Sequence, residues 1–95
     1  MPHAQLRAAL LEMSTLLEGH GESNWSEWAR RTADLAADDG FDPSIVRRAF
    51  GGMGSLNDLI IHPVNGHIID LAEVDSVNEK LASLRSDIYA ASLPQ

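Results

Sequence analysis

Apolar residues near the amino terminus recur in steps of four and three, at Leu6, Leu10, Met13 and Leu17, with Leu11 and Leu16 beside them. This spacing places them on one stripe of a helix running from His3 to Glu18. Gly19 then suits a left-handed helix end, and His20, Gly21, Glu22 and Ser23 read as a polar turn. A second helix is expected to start at Asn24, which with Glu27 three residues on has the spacing of a capping box. Trp25, Trp28, Ala29, Thr32, Leu35 and Ala36 share its inner face, Glu27 and Arg31 make a favourable i, i+4 pair, and Gly40 closes it.

Asp42 before Pro43 is a compact start signal for a short third helix from Pro43 to Phe50, which buries Ile45, Val46, Ala49 and Phe50. Gly51, Gly52 and Gly54 interrupt it. From Leu59 to Asp70 the helical period is lost, and two readings compete. Asn65-Gly66 between two apolar runs is a hairpin signal; Ser55 with Asp58 resembles a helix start, giving a turn or two of helix that Pro63 ends. Asp70 with Glu73 again has capping-box spacing, and Val74, Val77, Leu81, Leu84 and Ile88 then form the seam of a long last helix. Its stepping matches that of helix one, so the two are expected to pack together, within one chain or across a homodimer. The pattern as a whole predicts a mainly α fold: one domain over residues 1–95, a compact bundle of about four helices, a Gly-rich loop and, on one of the two readings, a short β-hairpin.

Composition narrows the functions. A chain of 95 residues has room for one core and is near the size at which pairing with a second copy adds needed stability. Seven Lys and Arg against fourteen Asp and Glu give a net charge of −7, which repels phosphate backbones and anionic lipid and favours a basic protein partner. Nucleic-acid and membrane binding are therefore not expected. With no cysteine there is no disulfide framework, thiolate zinc site or cysteine nucleophile. No basic leader precedes an apolar run, and no run approaches the length needed to span a bilayer, so a cytoplasmic protein is expected.

The richest candidate for chemistry is the loop carrying Gly51, Gly52, Gly54, Ser55, Asn57 and Asp58, because glycines let backbone N–H groups approach an anion. It departs from a phosphate loop: no lysine follows, a helix rather than a strand precedes it, and Asp58 would repel phosphate. The simpler role is a tight turn whose polar side chains satisfy loose backbone groups. His62 and His67 would emerge on one face of a hairpin and, with Asp58 or Asp70 as a third ligand, offer a weak zinc or nickel signature. His62 with Asp58, or His67 with Asp70, would be the acid–base couples of an enzyme, although a bundle this small has little space for a deep pocket. The residues themselves assign no catalytic group, metal or cofactor. Trp25 and Trp28 are expected to pack inward. Asp34, Asp38, Asp39 and Asp42 crowd the junction of helices two and three and suit electrostatic docking of a basic partner.

Asn24-Trp25 through Trp28, together with the run Phe50-Gly51-Gly52-Met53-Gly54-Ser55-Leu56-Asn57-Asp58-Leu59, resembles a family of small uncharacterised bacterial proteins that carry a domain of unknown function, over most of the chain. The resemblance implies no activity, cofactor or catalytic residue. By size and charge the chain is also analogous to immunity and antitoxin proteins. The function expected is non-enzymatic protein interaction, with the four aspartates as the docking surface; a small-ligand or metal site at Ser55, Asn57, Asp58, His62 and His67 is the alternative, and a structural homodimer the third.

Overall fold

The computed structural model of the chain describes residues 3–51 and 54–94. The first apolar stripe folds as expected into α1, Ala4–Gly19, burying Leu6, Leu10, Met13 and Leu17. The chain then reverses into α2, Ser23–Leu35, whose buried face is built from small residues, Ser26, Ala29, Thr32 and Ala33. Small side chains let the two antiparallel backbones approach, and buried hydroxyls need partners at such a crossing. Ser14 and Ser26 supply them reciprocally: the Ser14 hydroxyl donates to the Ser26 carbonyl at 2.9 Å and the Ser26 hydroxyl to the Ser14 carbonyl at 3.0 Å. Nearer the other end of the pair, Arg7 Nε donates to the Ala33 carbonyl at 3.0 Å.

The short α3, Ser44–Arg48, begins where Asp42 accepts from the Ser44 N–H at 3.0 Å and from its hydroxyl at 2.8 Å. These bonds, the backbone one foremost, hold the Asp42 carboxyl below its ordinary pKa. Arg47 on α3 donates to the Ser92 carbonyl just past the end of α4, Val74–Ala91. Val77, Leu81, Leu84 and Ile88 form the buried seam of α4, which packs on α1 within the same chain, with Lys80 and Glu12 paired at 3.7 Å on the rim. Ala36, Val46, Leu56 and Ile61 complete the core between the helices. Trp25 and Trp28 are half-buried against it, edge to face with ring centroids 5.4 Å apart, so the inward packing expected of them is partial.

The hairpin does not form: among the described residues there are four α-helices and no strand. Pro63–Asn65 is instead a 3-10 turn with Gly66 in the left-handed region, φ 84°, as its end. Pro63 has no N–H to give to a ladder, the His62 ring accepts the Val64 N–H at 3.0 Å, and the Asn65 side chain is drawn back to the Ile60 carbonyl at 3.0 Å. The competing reading holds only in part: Leu56–Asp58 is a single 3-10 turn, but it ends before Leu59 rather than at Pro63, and Ser55 makes no side-chain cap. Several helix boundaries also move. Glu22, not Asn24, caps α2, its carboxylate accepting from the Trp25 N–H at 3.0 Å. That helix ends at Leu35 rather than Gly40, and Asp38 stabilises the following turn by accepting from the Gly40 N–H at 2.9 Å. The left-handed glycine after α1 is Gly21, φ 77°, not Gly19. Asp70 precedes a 3-10 turn, Leu71–Glu73, and makes no side-chain cap there.

The serine crossing sets a stability prediction. Ser14→Ala removes one bond of a buried reciprocal pair and should cost about 1 kcal/mol. Ser14→Leu must also push α1 from α2 and should cost about 1–3 kcal/mol more. Urea unfolding of both variants, followed by circular dichroism, checks the order.

Candidate functional site

The chain between α3 and α4 has no regular ladder for its backbone, so side chains must satisfy it. In the Gly-rich region the Leu56 N–H returns to the Ala49 carbonyl at 2.8 Å, the Asn57 amide donates to the Phe50 carbonyl at 3.0 Å, and Asp58 accepts from the Gly54 N–H at 2.8 Å. Gly54 has φ 73° and turns the chain where a side chain would be strained. Gly51 is exposed, and Gly52 lies outside the described residues. From α4, Arg85 donates to the carbonyls of Leu56 at 3.2 Å and Leu59 at 2.9 Å; burial lowers its pKa from the usual guanidinium value. The Ser55 hydroxyl is buried with no partner among the described residues.

A few residues on, α4 takes hold again. Asn78 Oδ1 accepts from the Ile61 N–H at 2.8 Å, while its Nδ2 donates to the Ile61 carbonyl and to the Val74 carbonyl, each at 2.8 Å. One side-chain amide thus does for Ile61 what a neighbouring strand would have done. The His62 N–H donates to His67 Nδ1 at 3.1 Å, which leaves the neutral ring's proton on Nε2, facing Glu22 Oε1 at 3.0 Å. Both partners are well enclosed, with 6% and 16% of their side chains exposed. His20 closes the path: its Nδ1–H donates to the Ile68 carbonyl at 2.8 Å, and the Ile68 N–H returns to the His20 carbonyl at 2.9 Å.

This arrangement is a latch between the loop and the α1–α2 turn. His67 pairs with Glu22, not with Asp70, and both of its nitrogens are occupied, so none is left to carry a proton to or from a substrate. His62 spends Nδ1 on Val64 and Asp58 is spent on Gly54, so the other expected acid–base couple is not assembled. Among the described residues no three His, Asp or Glu side chains are grouped to hold a metal. Nor is any helix there long and apolar enough to cross a membrane.

The acidic corner has a different character. Asp34, Asp38, Asp39 and Asp42 are all exposed, but they divide by use: Asp38 and Asp42 hold turns, whereas the carboxylates of Asp34 and Asp39 make no bond or ion pair among the described residues. Arg48 approaches Asp42 only to 4.0 Å. Asp38 and Asp42, but not Asp34 or Asp39, line an open groove of about 320 Å³ together with Leu35, Gly40, Phe41 and Ile45. Leu35 is 56% exposed and Ile45 37%, so the corner offers apolar surface framed by negative charge.

The model of DUF6966, a domain of unknown function, matches residues 18–70. The chain belongs to this family. The DUF6966 stretch contains the Trp25 and Trp28 pair, the acidic corner, the Gly-rich loop and the His67–Glu22 latch, and ends before α4. No curated protein and no solved structure matches the chain. Three residues that organise this DUF6966 chain escape sequence reasoning: Glu22, Asn78 and Arg85. Asn78 and Arg85 stand seven apart on α4, on one face beside the apolar seam, and a polar line in that position is the signal that marks them.

Two predictions follow from these contacts. Asn78→Asp turns a donor into an acceptor facing two carbonyls and should cost about 2–3 kcal/mol, read by urea unfolding at pH 7. Asp42→Ala should lower Tm at neutral pH by removing the Ser44 bonds. Because the folded pKa of Asp42 is depressed, its contribution is complete above the ordinary value of 3.8 and fades as pH falls through the lower folded value, so the gap in Tm between variant and parent should narrow below pH 3.8.

Proposed function

We propose that this domain is a non-enzymatic protein-interaction module that docks a basic, amphipathic segment of a partner protein at the junction of α2 and α3. The observation that carries the reading is the groove between Leu35 and Ile45, open to solvent and edged by aspartates. Exposed apolar residues supply contact area, and charge around them steers a basic partner and fixes its orientation. Asp34 and Asp39 are the residues with charge to spare, since the fold does not use them. Asp38 and Asp42 add field but chiefly shape the turn. An immunity-like or antitoxin-like role, in which a small acidic protein neutralises a basic one, is the setting that this chemistry suits.

The test is comparative capture from a lysate of the source organism with the tagged full chain. The parent should retain a basic polypeptide at low salt and release it at high salt. Asp34→Lys with Asp39→Lys should reduce its recovery roughly tenfold, and Leu35→Ser with Ile45→Ser should do the same without reversing any charge. Recovery of the same partner by both double variants would refute the assignment of this corner, and recovery of the chain's own copies alone would favour the homodimer.

A further inference from the structure

Most of the basic side chains are spoken for. Arg30 pairs with Glu18 at 2.6 Å, Arg48 lies near Asp42, Lys80 near Glu12, and Arg7 and Arg47 bond carbonyls at helix ends. Arg85, like Arg47, is half-buried with no carboxylate among the described residues within ion-pair distance, in a chain of net charge −7, and unlike Arg47 it lines an open groove. Only Nη1 is engaged, by the Leu56 and Leu59 carbonyls; Nε and Nη2 have no partner among the described residues. A guanidinium offers a planar fork of donors, and the two unengaged nitrogens of Arg85 reach solvent, where an oxyanion can complete the fork.

The guanidinium borders an open groove of about 400 Å³ between the Gly-rich loop and α4, lined also by Phe50, Asn57, Ala82, Ser86 and Tyr89. Phe50 and Tyr89 stand edge to face at 5.2 Å and make an aromatic wall, while the Ser86 and Tyr89 hydroxyls and the Asn57 side-chain oxygen have no partner among the described residues. Cation, aromatic wall and convergent polar groups are the components of a small-molecule site, and the volume lies within the usual range for one. We infer that this groove binds a small organic monocarboxylate, the carboxylate pairing with Arg85 and the apolar body lying along Phe50 and Tyr89. One guanidinium in a strongly negative field matches a monoanion better than a phosphate dianion. The site lies apart from the acidic corner and stands independently of the docking proposal.

Titration of the ¹⁵N-labelled full chain with sodium benzoate at constant ionic strength tests the inference, with inorganic phosphate as the second probe. Benzoate should shift the amides of Asn57, Arg85, Ser86 and Tyr89 saturably, and phosphate should bind more weakly. Truncating Arg85 would release the Leu56 and Leu59 carbonyls and endanger the fold, so the decisive variant is Ala82→Glu. It sets a carboxylate three residues before Arg85 on the same helix face, at an exposed position, to occupy the guanidinium internally. Ala82→Glu should leave the spectrum otherwise folded and weaken benzoate at least tenfold. Absence of saturable shifts at those amides, undiminished binding by Ala82→Glu, or tighter binding of phosphate than of benzoate would each overturn the assignment.

Discussion

The amide of Asn78 is the contact on which the path of the chain between α3 and α4 depends. Ile61 is fully buried, so its N–H and carbonyl are carried near the core, where unpaired backbone groups are costly. A sheet would normally solve this, but no strand is present among the described residues. Asn78 presents one acceptor and two donors on a rigid helix and meets the N–H and carbonyl of Ile61 together. Once Ile61 is held, the residues on either side are limited to short turns. Towards the amino terminus Arg85 pins Leu56 and Leu59, and towards the carboxyl terminus the turn at Pro63 delivers His67 to Glu22 and Ile68 to His20. The long helix α4 is therefore both a wall of the core and the frame on which an irregular segment is hung.

The regular parts of this fold were legible because they are written in periodicity. The stripes of Leu6, Leu10, Met13 and Leu17 and of Val77, Leu81, Leu84 and Ile88 appear as buried seams, and Asp42 ahead of Pro43 marks a helix start through the bonds expected of it. The irregular part was not legible because its signals are local and its causes are distant. Asn65-Gly66 suits a hairpin tip and a turn end equally well; what decides is Pro63 before it and the Ile60 carbonyl waiting for Asn65. Glu22 does not stand out as a cap for the same reason, since its carboxylate is held in place by His67, a residue far along the chain. The candidate site followed suit: Asn57, Asp58, His62 and His67 all lie on the segment between α3 and α4, but each is turned to backbone or to a side-chain partner.

The fold consumes some polar groups and leaves others over, and only the second set is free to meet a ligand or partner. A polar side chain that closes a turn or satisfies a buried N–H cannot be withdrawn to meet a ligand without returning the cost it removed. By that criterion His67 is spent on both ring nitrogens, and His20 and His62 are each committed through Nδ1. The acidic corner is half spent: Asp38 and Asp42 are structural, while Asp34 and Asp39 remain.

Surplus apolar surface points the same way as surplus charge. Leu35 and Ile45 stand open although the chain had alternatives: α2 lines its inner face with alanine and serine, so a larger residue at the end of that helix is not required to fill the core. Exposed apolar side chains in a small acidic protein lower its solubility in proportion to the patch they form, and the surrounding aspartates offset that by repelling copies of the same chain. On the docking proposal, the same charge that discourages self-association at the corner would steer a basic partner to it. On that proposal, a surface that repels its own kind suits a heterologous complex through this face better than a homodimer, while α1 packs on α4 within the chain, away from this corner.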